Sequence, residues 1–384
     1  MLAPLASELE LFRASSGAEA LLELDRSACD IIVTDLAMPG MNGGELLAEV
    51  RARHPCIVRM LLCDGEEREL ARKAAPEAHQ QIAKHCPPEL FRTTIRRSAA
   101  LHDALNNERL MTLVARMDTL PCMPANYHEL VTAMRVPDVT VANLGAIIAR
   151  DIGMTATVLQ IVNSAVFSLR EKITSPGQAA AFLGLDTLRS LVLSVGVFTQ
   201  FQETDLELFS LDELGQHSLR VAHFTRAILE TEHATPNALE EGFLAGMMHD
   251  SGKLVLAVNR TERYRAMRFL SDRDGLDPIE LERRLFGVSH AAVGAYPLSQ
   301  WGLAQNVVEA VCFHHTPSLS HETDFDTLCA VHVANCIAGS NLDDESAGLP
   351  GLDLSYLKLL GLERRLPRWR QACRDAEQVA HTAG

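Results

Sequence analysis

Residues 242–253 read GFLAGMMHDSGK. The first seven are apolar or small and suit a buried helix. The helix then ends in an adjacent imidazole and carboxylate, His249 and Asp250, followed by Ser251, Gly252 and Lys253. The sequence around this stretch has the same texture. After Pro124, apolar residues recur at three- and four-residue spacing through 141–166, 179–198, 217–229 and 307–313, with the turns SPGQ, ATPN and DRDG between them. That pattern predicts an all-α region of about 250 residues.

The histidines sharpen the reading. Of fifteen, His217, His249, His290, His314 and His315 occupy suggestive places. Glu213 and His217 stand four apart and share a helix face. His290 lies in FGVSHAAVGAY, and His314 and His315 end the apolar run VVEAVCFHH. Neutral imidazoles with carboxylates suit a divalent transition metal such as Fe, Mn or Zn. Hydroxide on such a metal can attack phosphorus. A second reading stands beside this one: a histidine in a helical protein is commonly packed and hydrogen-bonded, and a His-His pair at a helix end favours the helix dipole.

Towards the N-terminus the texture changes. Residues 30–43, DIIVTDLAMPGMNG, form an apolar run ending in Asp35 and a Pro/Gly turn. This reads as a buried parallel strand and loop. CIVRMLLC (residues 56–63) is a second strand candidate, and helical patterns flank the first. Strands alternating with helices predict a parallel α/β sheet. An acid at the carboxyl end of such a strand is a candidate phosphoryl acceptor, or it simply caps its turn. Residues 98–117 read as a linker helix, broken by LPCMP.

The chain has 384 residues, with 35 basic and 50 acidic, a formal charge of −15. Such a balance argues against direct DNA binding, because nothing neutralises a run of phosphates. No apolar stretch is long enough to span a membrane. The N-terminus lacks the basic and apolar regions of a secretory signal. Nine scattered Cys without a CxxC pair fit reduced cytoplasmic thiols.

Two family resemblances follow from these stretches. DLAMPGMNG resembles the phosphoacceptor strand and loop of response-regulator receiver domains, with Lys84 in QIAKHCPPEL where receivers carry a phosphoryl-contacting Lys. The resemblance implies a flavodoxin-like α/β fold over 1–97, with Asp35 as phosphoacceptor and Lys84 as switch residue. Cys63 stands where the family usually has Ser or Thr. The first strand, whose paired acids hold Mg²⁺, is expected to be missing, with residues 1–13 already in the first helix. The start codon then lies upstream, or the receiver is a remnant used for docking or dimerisation. Mg²⁺ is expected only if that strand exists.

The second half resembles HDOD domains, relatives of the HD phosphohydrolases. LPCMPANYHELVTAM (120–134), IIARDIGMTATVLQIVNSAVFSL (147–169) and ITSPGQAAAFLGLDTLRSLVLSVGV (173–197) carry the resemblance, with GMMHDSGKL and EAVCFHH continuing it. It implies a ligand set of Glu213, His217, His249, Asp250, His290, His314 and His315. Lys253 matches a residue near the substrate phosphate in active relatives. Active HD enzymes end the set with an Asp on a late helix; AVHVANCIAG here supplies Asn335. A GYP triplet is absent.

The expected organisation is a truncated receiver (1–97), a linker helix (98–119), an HDOD domain (120–345) and a C-terminal helical extension (346–384). The expected function is a cytoplasmic two-component-type regulator. Its input would meet a sensor histidine kinase or another signalling protein, or its own copy in a homodimer. Its output would bind a protein or nucleotide without catalysis. The alternative is a metal-dependent phosphohydrolase acting on a nucleotide or cyclic dinucleotide.

Overall fold

The computed structural model describes residues 9–54, 57–64, 74, 77–134, 140–163, 173–201, 211–321, 323–342 and 348–382. Two compact units emerge. One comprises Met1–Glu108 with Leu298–Gln305 and Leu319–Thr323; the other comprises Arg109–Pro297, Asn306–Ser318 and Asp324–Gly384. Among the described residues, no single helix is long and apolar enough to cross a membrane.

The first unit holds a three-stranded parallel sheet in the order β1 (Ile31–Asp35), β2 (Val58–Cys63), β3 (Gln80–Ala83). The second strand starts at Val58; Cys56 of the expected strand lies outside the described residues. Helix Gly43–Arg53 begins at a capping box in which Asn42 accepts from the Glu45 amide and Glu45 accepts from that of Asn42. Gly43 is required there, since a Cβ would stand 2.2 Å from the Asp35 carbonyl oxygen. The loop therefore folds tightly back over the end of β1, and Asp35 emerges at the carboxyl edge of the sheet.

Two expectations need correction. A first helix was expected over 1–13; residues 1–8 lie outside the described set, and 9–14 are not helical. The helix starts at Gly17 because Ser16 caps it, its hydroxyl accepting from the Glu19 amide. Leu9 packs instead against the sheet cluster of Met60, Ile82, Phe91 and Ile95. The expected linker helix over 98–117 is two helices, Pro88–Leu105 and Glu108–Val114. Asn106 separates them, both its backbone N–H and its side-chain amide donating to the His102 carbonyl.

The second unit is helical. Its core joins Leu211–Thr231 with Thr327–Ala338 and the C-terminal helices Leu354–Leu359 and Leu366–Thr382. Trp369 and Cys373 are fully buried among Phe224, Ile228 and Val333. The Trp369 indole N–H donates to Glu232 at 2.9 Å, which satisfies the polar atom that burial would otherwise orphan. Tyr356, Leu357, Leu362, Trp369 and Cys373, in the expected C-terminal extension, thus form part of this core.

Two backbone contacts set the helix spacing that matters for function. A Cβ on Gly246 would stand 2.6 Å from Ala222 Cα, so Pro236–Met248 and Leu211–Thr231 nearly touch. A Cβ on Gly252 would stand 2.0 Å from the His290 carbonyl oxygen, and Gly294 faces Gly252 in turn. Helices Ser251–Asn259 and His290–Gln300 are therefore locked at close range. Gly252→Ala should cost roughly 1–3 kcal/mol by overpacking. Gly215→Ala, in a helix with open space at that position, should gain roughly 0.5–1 kcal/mol. Urea midpoints of the two variants, shifted in opposite directions from wild type, check this contrast.

Candidate metal centre

Asp250 is the hub. It follows the Pro236–Met248 helix and is 1% exposed. Its Oδ1 lies 3.1 Å from His290 Nε2 and 3.8 Å from His314 Nε2. Its Oδ2 lies 3.4 Å from His249 Nε2, 3.7 Å from His217 Nε2 and 2.6 Å from Lys253 Nζ. His315 packs against both His290 and His314, with ring centroids 5.1 and 4.0 Å away. Two ligand groups share the aspartate: Asp250, His290, His314 and His315, and His217, His249 and Asp250. Within each group the potential ligand atoms lie within 4.8 Å of one another.

Helix ends aim these rings. His249 Nδ1–H donates to the Gly246 carbonyl at 2.7 Å, and His314 Nδ1–H donates to Val311 at 2.8 Å. A carbonyl only accepts, so the proton must sit on Nδ1 and the lone pair on Nε2 turns inward. His290 is held by a carboxylate: Glu282 accepts from its Nδ1–H at 2.8 Å and from its backbone N–H at 2.7 Å. Glu282 is 1% exposed. His332 adds a layer beneath. Its Nδ1–H donates to the His314 carbonyl at 2.7 Å, while its Nε2 accepts from the Asp353 N–H at 2.9 Å.

The electrostatics follow from burial and crowding. Burial, then neighbouring imidazoles, push the proton affinities of His314 and His315 well below the ordinary range. Burial and the nearby His249 push His217 down to about 4. Burial alone would raise the Asp250 pKa, but the nearby His249 ring and the Lys253 ammonium hold it well below the usual carboxylate range. His290 goes the other way: Glu282 and Asp250 outweigh burial and raise its pKa.

The residues fit a metal. Nε2 of His249, His290, His314 and His315 and Oδ1 of Asp250 are buried without a hydrogen-bond partner in the protein. Crowded lone pairs of this kind are costly unless a shared cation relieves them. Imidazole nitrogen with carboxylate oxygen is a donor set for Fe, Mn or Zn.

Of the anticipated residues, His217, His249, Asp250, His290, His314, His315, Asn335 and Lys253 come together. Asn335 Oδ1 lies 3.1 Å from His217 Nε2. Glu213 is not brought into either ligand group and is exposed. In the first unit, Asp35 Oδ1 lies 3.4 Å from Lys84 Nζ, both at the carboxyl edge of the sheet. Sequence reading missed Glu282 and His332. The signal for Glu282 was an acid on the apolar stripe of PIELERRLF, four before buried Phe286.

Ligating histidines depend on the partner of their other nitrogen. Glu282→Gln keeps the volume but loses one carboxylate oxygen, so metal affinity should fall roughly 10–100-fold. Competition with a chromophoric chelator reads that change directly.

Comparison with known proteins places these features. An HDOD domain model matches residues 120–317, and a response regulator receiver domain model matches 4–96. An uncharacterised protein of Treponema pallidum (strain Nichols) is 24% identical over 273 residues, which is 70% of this chain. The chain spans about half of that relative's length, 52%. Among solved structures, an HDOD domain protein of unknown function from Geobacter sulfurreducens is 22% identical. It has a TM-score of 0.57, over 72% of this chain and 96% of that one. A Shewanella amazonensis protein, named provisionally as a phosphohydrolase, is 21% identical. Its TM-score is 0.56, over 73% of this chain and 100% of that one. Both support the fold. With more than half of its length matched, and a receiver domain ahead of the match, this chain belongs to the HDOD domain family.

Proposed function

We propose that the chain is a signalling regulator whose receiver-type unit governs an HDOD output that binds a phosphate-bearing ligand at a metal centre, with little or no turnover. The observation that carries the reading is the convergence on Asp250 of inward-facing imidazoles beside Lys253, whose side chain is 30% exposed. A cation there would polarise a phosphoryl oxygen. Lys253 would place a second positive group next to it. Asp250 holds Lys253 in place, and His249 and His314, whose protons are fixed on Nδ1, have no Nε2 proton to give a leaving group. The residue facing His217 is a neutral amide, so the pocket compensates metal charge poorly for hydrolysis.

The nearly full ligand set favours the phosphohydrolase as a second reading. One assay separates them. Metal-loaded protein is mixed with mononucleotides, dinucleotides and cyclic dinucleotides, and both melting temperature and hydrolysis are followed. The regulator reading expects a ligand-dependent rise in melting temperature that is lost in Lys253→Met, with no product. Steady product formation lost in His249→Ala would establish the enzyme instead.

For the input, Asp35 and Lys84 form the candidate acceptor pair, and a sensor kinase or another signalling protein is the proposed partner. Cys63 ends β2 beside this edge, and a thiol is a poor hydrogen-bond donor to phosphate. Acetyl phosphate with Mg²⁺ should therefore label the protein weakly. Strong labelling abolished by Asp35→Asn would show a competent phosphoacceptor.

A further inference from the structure

We infer that the centre is asymmetric and holds one metal ion, on the His290, His314 and His315 side of Asp250, while Lys253 and Asn335 take the place of a second ion on the other side. This deepens the metal-centre reading and rests on it.

The two oxygens of Asp250 have different surroundings. Oδ1 is buried without a hydrogen-bond partner and faces His290 and His314 at 3.1 and 3.8 Å. Each of His290, His314 and His315 presents a partnerless buried Nε2. Three imidazoles and one carboxylate oxygen form a complete donor set for a divalent transition metal. This side is also the better anchored. Glu282 grips His290 twice, Val311 grips His314, and His332 fixes the His314 carbonyl from below.

Oδ2 is engaged differently. The Lys253 ammonium sits 2.6 Å from it and already supplies a positive charge. His217, on this side, has Nε2 turned to the Asn335 amide oxygen at 3.1 Å. Only His249 contributes a partnerless Nε2 here among the described residues. A dication on this side would meet the His217 and His249 imidazoles but only one shared carboxylate, with a neutral amide and a fixed ammonium beside them. Like charges at such distances repel, and the repulsion is screened less beside the buried Asp250 than in open water. The missing carboxylate and the present ammonium act in the same direction. Lys253 thus becomes a built-in cation facing the ligand, and Asn335 the residue that keeps the second ion out.

Metal counting on the intact chain tests this. Protein is loaded with Mn²⁺, desalted, and measured by native mass spectrometry, with electron paramagnetic resonance as a second readout. The wild type should hold one ion and give the spectrum of an isolated Mn²⁺. Asn335→Asp should hold two, with spin coupling through the shared aspartate, and neither measurement requires a disruptive substitution. His290→Gln should lose the ion and His217→Gln should keep it. Two ions in the wild type would overturn the inference and leave the metal-centre reading standing. So would an Asn335→Asp protein that stays at one ion, or two His variants that behave in reverse. A wild type that binds no ion would overturn both.

Discussion

The second unit depends on an electrostatic constraint at Asp250. A carboxylate at 1% exposure cannot stay charged without compensation. Here compensation comes from Lys253 on one oxygen and from a set of metal-ready imidazoles on the other. Everything that shapes the pocket serves that arrangement. Helix-end carbonyls of Gly246 and Val311 fix which nitrogen bears the proton, and Glu282 does the same for His290. The near-contacts at Gly246 and Gly252 bring the ligand-bearing helices close enough to share one aspartate. Small residues in the sequence therefore decide the electrostatics of the site.

How much of this was legible depended on whether the information was local. His249 and Asp250 are neighbours in the chain, so their joint role could be read directly, as could the Asp35 strand with its glycine turn. The meeting of His217, His290 and His314 could only be expected, because it rests on helix packing between segments far apart in sequence. Glu213 shares a helix face with His217 and yet is in neither ligand group. Glu282 was hidden among the charges of an amphipathic helix, where a buried acid looks like a surface one. In the first unit, β3 is only four residues long and carried no pattern of its own. The break at Asn106 and Asn107 was missed because asparagine within an otherwise helical stretch ends a helix only when a side chain turns back to the preceding turn.

The two units show different kinds of departure from their families. In the first, the Asp35–Lys84 pair is kept while a thiol stands where a hydroxyl is usual. In the second, most of the expected ligand residues come together, and the amide of Asn335 stands where a carboxylate is expected in active relatives. Under the proposed function, both changes would favour binding a phosphate group over transforming it. That pattern suits a protein whose task is to register a ligand and report on it.

His332 carries a further consequence. One imidazole bridges the carbonyl of a ligand-bearing turn and the amide that opens the Leu354–Leu359 helix. The last stretch of chain is therefore wired to the pocket floor. Clipping or pulling away that tail would strip His332 of its acceptor role, open the socket around Trp369 and loosen the turn that aims His314. The C-terminal helices and the turn that aims His314 thus share one side chain, so that loosening either end of His332 would loosen the other.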